Sequence, residues 1–357
     1  AQAILAQACF QLKQCFQFKI CWKQIHFRVE MVHIPEADDV PVKPGPKAAI
    51  HTKLICGNAA LQTCGGNVCM VTGGSRGIGK GICLELARAG AIVYVTGRST
   101  AGQTTDALMG GSVDETVGMM NKLGGVGVAV HADHAQLVQN DACVKIIESQ
   151  HGRCDCLVNN AFFIPKPDLL FFNNNIWQQP SRFLHEQMAV GSYNHLVMTL
   201  KMIPYLRAGK GLVINVSSWG SQQNIVVFPA HYLINKAAFD AQTMALNANL
   251  RREYRICSLV FWPGNIRSER SQVAVKRSGM KLSDAESVRY SGRAVRALLD
   301  MAPEEMIRFA KKGVVLVADT LIDYSGGHDV DGYVQERALL SYMTGNAGPS
   351  MPGYRNF

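Results

Sequence analysis

The chain has 357 residues, 48% hydrophobic and 18% charged, which is ample for one large buried core and unlike a disordered chain. Its net charge of +9 suits an anionic ligand, but no Lys/Arg block marks a nucleic-acid patch, so no nucleic-acid partner is expected. No apolar run approaches the roughly 18 residues that read as a membrane span.

Residues 1–64 differ from the rest. They are rich in Gln and Cys, carry Pro35, Pro41, Pro44 and Pro46, and hold no acid before Glu30. A mitochondrial leader would favour Arg and Ser, which are scarce here. The stretch is expected to be an N-terminal extension, disordered or loosely attached, with few fixed contacts. Eleven cysteines in so long a chain read as reduced, buried thiols. None forms a C-x-x-C pair and no His pair has zinc-finger spacing, so no metal site is expected.

From Gly65 the pattern becomes an alternation of apolar runs and helical periodicity. Val68-Cys69-Met70-Val71 opens onto a glycine turn and reads as a buried parallel strand. Ile78 to Ala89 has helical spacing and stops at Gly90, a natural C′ residue. Further strands are predicted at 91–95, 126–130, 156–158, 211–216, 257–261 and 314–317, with helices over 115–123, 135–150, 183–203, 230–251 and 284–300. The alternation predicts an α/β, Rossmann-like, doubly wound parallel sheet of seven strands with helices on both faces, spanning residues 65–320. Residues 321–357 are expected to pack on it as a C-terminal tail.

The turn Thr72-Gly73-Gly74-Ser75-Arg76-Gly77-Ile78-Gly79 must end a strand and start a helix whose first N–H groups face a pyrophosphate. Gly73 permits the turn, Gly77 lets the backbone approach the phosphates, and Gly79 lets the helix pack near the strand. Ser75 and Ile78 join them as expected cofactor contacts. NAD binders place an acid after the second strand, but here the segment is Thr96-Gly97-Arg98-Ser99 with no acid until Asp106. Arg98 can meet a 2′-phosphate with a planar fork of donors, and Arg76 can add a second cation. NADP(H) is therefore expected over NAD(H); the alternative leaves Arg98 as a solvated loop residue. Asp133 is expected either to accept from an adenine amino group or to cap the following helix, and the two roles can coexist.

Tyr232 and Lys236 stand four apart on a predicted helix and share one face. An ammonium fixed beside a phenol favours the phenolate, so Tyr232 is expected to exchange protons near neutral pH. Lys236 can also hold a nicotinamide ribose. Ser217-Ser218 close the fifth strand, where a hydroxyl can orient a substrate carbonyl. Ser218 is the first choice and Ser217 the second.

Taken in order, Thr72–Gly79, Asn159-Asn160-Ala161, Ser217-Ser218, Tyr232…Lys236 and Pro263-Gly264 resemble the motifs of the short-chain dehydrogenase/reductase family over about residues 65–320. The resemblance implies a nicotinamide-dependent oxidoreductase in which Asn159 and its neighbours stabilise the central strand. It implies cofactor contacts at Asn160, Ala161, Tyr232, Lys236, Pro263, Gly264, Ile266 and Ser268, with a Thr more usual at the last. It implies catalysis by Ser218, Tyr232 and Lys236: carbonyl reduction, with Tyr232 protonating the oxygen and Ser218 steadying it. The long segment 162–192 and Asp329-Val330-Asp331-Gly332 resemble one branch of the family. Three departures stand out. Phe162 replaces the usual glycine of N-N-A-G. The interval from Ser218 to Tyr232 is slightly long. The family's helix Asn, which holds a relay water, aligns with Ala189, and Asn194 lies about 140° round the helix. A dinucleotide-binding scaffold with little chemistry is the alternative function.

Ala161-Phe162-Phe163-Ile164-Pro165 and Leu169-Leu170-Phe171-Phe172 are apolar for a loop. They read as a lipophilic substrate wall suited to steroid- or xenobiotic-like carbonyls, as a membrane-surface or subunit contact, or as cover for the core. The family resemblance implies a homo-oligomer, for which the helices around 196–206 and 230–250 would serve. A cytoplasmic or endoplasmic-reticulum-associated location is expected ahead of a mitochondrial one. Asp329-Val330-Asp331-Gly332 lacks the further ligands of a calcium loop and reads as a plain turn.

Overall fold

The structure, a computed structural model, describes residues 53–55, 66–105, 109–164, 175–222, 228–278, 285–312 and 315–317. Leu169–Phe172, Asp329–Gly332, the tail over 321–357 and nearly all of the N-terminal extension lie outside these residues.

Strand β1 (Lys53–Ile55) is followed by β2 (Val68–Val71), α1 (Gly77–Arg88), β3 (Ile92–Gly97), α2 (Val113–Lys122), β4 (Val126–His131) and α3 (Leu137–His151). Next come β5 (Cys156–Asn159), α4 (Ser181–Met188), α5 (Asn194–Met202), β6 (Leu212–Val216), α6 (Ala230–Tyr254) and β7 (Cys257–Trp262). Helices α7 (Glu269–Ser278), α8 (Val288–Asp300) and α9 (Pro303–Lys312) precede β8 (Val315–Val317). The sheet order is β1-β4-β3-β2-β5-β6-β7-β8. The order reverses at β2 and β5, so a crevice opens between their carboxyl ends, the place where doubly wound sheets bind ligands.

The core follows from period-2 strands buried on both faces. On one face Cys69, Val71, Val93 and Val95 meet Ile82 and Leu86 of α1 and Leu298 of α8. On the other, Val68, Met70, Tyr94 and Leu157 meet Met198 and Met202 of α5. Helices α1 and α8 touch through backbone: a Cβ on Gly81 would lie 1.9 Å from Val288 O, and one on Gly292 would lie 2.3 Å from Gly81 O. This contact fixes the helix that opens the crevice. All six cysteines in the described residues are free and buried.

Two expectations need correction. The sheet has eight strands rather than seven: β2 to β8 run parallel, and three-residue strands, β1 and β8, form its two edges. One of these edges, β1, lies inside the stretch expected to make few fixed contacts, and it pairs antiparallel with β4. The single helix expected over 183–203 is broken by a wide turn at Ala189–Tyr193, where Gly191 has φ −84° and ψ −111°. Asn235 of α6 causes the break. Its side chain accepts from Ser192 N–H (3.0 Å) and donates to Gln187 C=O (2.7 Å), inserting into the helical ladder.

Candidate active site

The glycine turn is built against the strand that follows β2 in the sheet. Thr72 Oγ1 accepts from the N–H groups of Asn160 (2.9 Å) and Ala161 (3.0 Å). Asn160 Nδ2 donates to Thr72 C=O (2.9 Å) and Gly73 C=O (3.1 Å). Gly73 has φ +68°, and a Cβ there would lie 2.7 Å from Ala161 Cα, so geometry and space both demand glycine. Asn160 is thus a strut that ties β5 to the turn.

The turn lines a cleft of about 580 Å³ at the carboxyl edge of the sheet. The cleft gathers Gly73, Ser75, Arg76, Gly77, Ile78, Arg98, Asp133, Asn160, Ala161 and Ser268, all expected cofactor residues. Gly79, Pro263, Gly264 and Ile266 do not line it. Gly79 packs behind the turn, where a Cβ would meet Gly73 C=O at 2.5 Å. Pro263 and Ile266 are buried, and Ile266 is bridged to Glu286.

Arg76 at the N-cap position of α1 and Arg98 just past β3 both line the cleft. Arg76 donates to Ser99 Oγ (2.9 Å) and Gly111 C=O (3.1 Å). Arg98 is exposed, with its guanidinium 5.5 Å from the centre of the Phe163 ring. Asp133 does not cap α3, whose N-cap position is Gln136; its Oδ1 accepts from Ala135 N–H at 3.0 Å in a local turn, and the residue lines the cleft. The cleft could hold an anionic dinucleotide. Its volume is that of a small-molecule site, and it joins four arginines, Arg76, Arg98, Arg182 and Arg270, to the N-terminus of α1.

Ser218, Tyr232 and Lys236 cluster together, but none lines the cleft. Ser218 hydrogen-bonds the Tyr232 phenol and accepts from Gly220 N–H at 3.3 Å. Ser217 turns away and donates to Lys236 C=O at 3.2 Å, which supports Ser218 as the better-placed hydroxyl. Lys236 Nζ donates to Val216 C=O at 2.9 Å. Phe162 stands between cluster and cleft. Its ring meets Tyr232 edge-on at 5.7 Å, lies 4.4 Å from Lys236 Nζ, and forms part of the cleft wall.

The electrostatics differ from expectation. Burial pushes the Tyr232 phenol above its ordinary pKa, only partly offset by the bond from Ser218. Burial drives Lys236 down to about 7, with Asp240 opposing. Desolvation of both groups outweighs the phenolate stabilisation expected from an adjacent ammonium. The phenol is therefore protonated at neutral pH.

Neighbouring polar residues hold the frame. Asn159 Nδ2 donates to Thr199 Oγ1 (2.9 Å) and Asn215 Oδ1 (2.8 Å), locking the central strands to α5. Asn194 Nδ2 is committed to His134 C=O, three residues past β4. His195 was not singled out by sequence. Its Nε2 donates to Ala161 C=O (2.7 Å) and its ring stacks on Phe239 at 4.5 Å. Burial, and then the charge of Lys236, keep it well below the usual histidine pKa and so neutral. Glu269, Phe163, Ile164 and Val190 also line the cleft; of these only the apolar run at 161–165 carried a sequence signal.

A family model described as short chain dehydrogenase matches residues 67–278. The chain is 33% identical over 301 residues to Dehydrogenase/reductase SDR family member 1 of Homo sapiens, covering 78% of this chain and 90% of that protein. Its fold matches a short chain dehydrogenase from Burkholderia cenocepacia J2315 in complex with NADP, at TM-score 0.58 and 22% identity, covering 72% of this chain and 96% of that one. It also matches a 3-oxoacyl-[acyl-carrier protein] reductase from Brucella melitensis in complex with NAD, at TM-score 0.58 and 23% identity, covering 71% and 95%. At those identities the structural likenesses speak for the fold alone. Fold, ordered motifs and family match agree: the chain belongs to the short-chain dehydrogenase/reductase family of NAD(P)-dependent oxidoreductases.

Proposed function

We propose that the chain is an NADPH-dependent carbonyl reductase acting on lipophilic ketones or aldehydes, steroid- or xenobiotic-like in character. The observation that carries this reading is the Ser218–Tyr232–Lys236 cluster one aromatic ring away from a cleft holding Arg76 and Arg98. Preference for the 2′-phosphorylated cofactor is supported by Arg98, Arg76 and the lack of an acid at the end of β3. Glycine-turn N–H groups and the N-terminus of α1 would hold the phosphates.

A bound nicotinamide supplies the hydride. The chain's own residues manage the proton. A phenol with a raised pKa remains protonated at neutral pH, the form that can donate to a carbonyl oxygen. Ser218 fixes the phenol's direction. Lys236, titrating at about 7, carries charge for part of the time and favours the phenolate left after transfer. Phe162, Phe163, Ile164 and Val190 supply the apolar wall that favours a lipophilic substrate.

Self-association belongs to the same reading and is supported by exposed Leu200, Ile234 and Met244 on α5 and α6. Contact with a membrane surface, at the endoplasmic reticulum or elsewhere in the cytoplasm, is supported by exposed Ile176 and Trp177. No helix among the described residues is long and apolar enough to cross a membrane.

A second reading is a dinucleotide-binding scaffold with little turnover. Phe162 between cluster and cleft, with Ala189 at the family's relay position, favours it. A panel of carbonyls with NADPH and NADH separates the two. Turnover faster with NADPH supports the reductase, and tight NADPH binding without turnover supports the scaffold.

A further inference from the structure

Helix α1 begins without a local cap. Arg76 occupies its N-cap position with no side-chain cap bond, and its first turn holds no acid. Four N–H groups at a helix start need partners, and the helix dipole favours an anion there. The anion arrives from 192 residues away: Gly77 N–H donates to Glu269 Oε2 at 2.8 Å. Lys80 Nζ lies 3.8 Å from the other oxygen of that carboxylate and 3.1 Å from Glu115. Glu269 is also the acid in the first turn of its own helix, α7. One carboxylate therefore serves two helix N-termini and pins the start of α7 against the glycine turn.

The approach to Glu269 is anchored. Arg267 N–H donates to Glu286 C=O (2.8 Å), and Glu286 N–H donates to Asn265 C=O (2.7 Å). Ser268 N–H donates to Ser271 Oγ (2.8 Å). Glu269 is held at the cleft wall by these contacts, with its side chain 29% exposed.

We infer that Glu269 is an internal competitor of the cofactor's phosphates: its carboxylate occupies the anion-binding end of α1 and latches the α7 strap there until a dinucleotide displaces it. The inference rests on the dinucleotide reading of the cleft. A pyrophosphate against the glycine turn seeks the same N–H and the same dipole that Glu269 uses. Two anions so close repel, so cofactor entry must include release of the carboxylate, and release frees the start of α7.

The test is an equilibrium and stopped-flow titration of NADPH fluorescence with the full chain, Glu269→Gln and Glu269→Ala. Glu269→Gln keeps the shape and removes the charge. It is expected to bind NADPH roughly 2–5-fold tighter, with faster association, the size of effect typical of one charge at a helix terminus. Its unliganded form is expected to melt at a lower temperature. A purely structural cap would not tighten binding, so equal or weaker affinity in Glu269→Gln overturns the latch. If Glu269→Ala does not fold, Glu269→Gln alone decides. Absence of binding by all three proteins overturns the dinucleotide reading, and the latch with it.

Discussion

Replacing Lys236 by Met tests how the buried ammonium is held. Burial lowers the group from 10.5 to about 7 in the folded chain. At about 1.4 kcal/mol per unit, the folded state carries a penalty of about 5 kcal/mol whenever Lys236 is charged in both states. The sign follows from proton counting. Below pH 7 both states bind the proton and the penalty is complete. Between about 7 and 10.5 the unfolded chain holds the proton and the folded chain releases it, so wild-type stability rises with pH by about 1.4 kcal/mol per unit. Met has no such slope, but it leaves Val216 C=O without its 2.9 Å partner, which costs about 1–3 kcal/mol. Lys236→Met is therefore expected to be more stable than wild type at pH 6, by about 2–4 kcal/mol, and less stable above the window. Urea unfolding of the two proteins at pH 6, 8 and 10 measures the difference. Parallel stability curves would refute the reasoning, because they would mean that Lys236 keeps its charge on folding.

Further outcomes follow from the same geometry. Arg98→Ala should raise the KM for NADPH about tenfold or more while changing that for NADH little, measured with one carbonyl substrate; equal changes would remove Arg98 from cofactor choice. Gly73→Ala should abolish dinucleotide binding and lower the melting temperature, since its Cβ would meet Ala161 Cα at 2.7 Å in a positive-φ turn. Asn235→Ala should cost about 2–4 kcal/mol in urea unfolding, because Ser192 N–H and Gln187 C=O both lose their partner; a change under about 0.5 kcal/mol would mean that the wide turn does not depend on it.

The fold was legible wherever the signal is local. Strands β2 to β7 are short apolar runs because both faces of a parallel sheet are covered. The glycine turn is readable because Gly73 answers a backbone demand. The ordered motifs made the family readable too. What remained hidden arises between distant segments. Lys53–Ile55 is too short to announce an edge strand. The break at Ala189–Tyr193 comes from Asn235, over 40 residues on, and the cap on α1 from Glu269, 192 residues from Gly77. Spacing put Tyr232 and Lys236 on one face but said nothing of burial, so it gave the wrong direction for the phenol. Phe162 was noticed as a departure, yet its place between cluster and cleft is visible only in three dimensions.

The central claim is that Tyr232 delivers the proton to a reduced carbonyl. A single-turnover measurement of NADPH oxidation by Tyr232→Phe and wild type, with NADPH affinity determined in parallel, tests it most directly. The account predicts unchanged affinity with turnover lowered by about 100-fold or more, the usual size of a general-acid contribution. Turnover at the wild-type rate with NADPH still bound would contradict it.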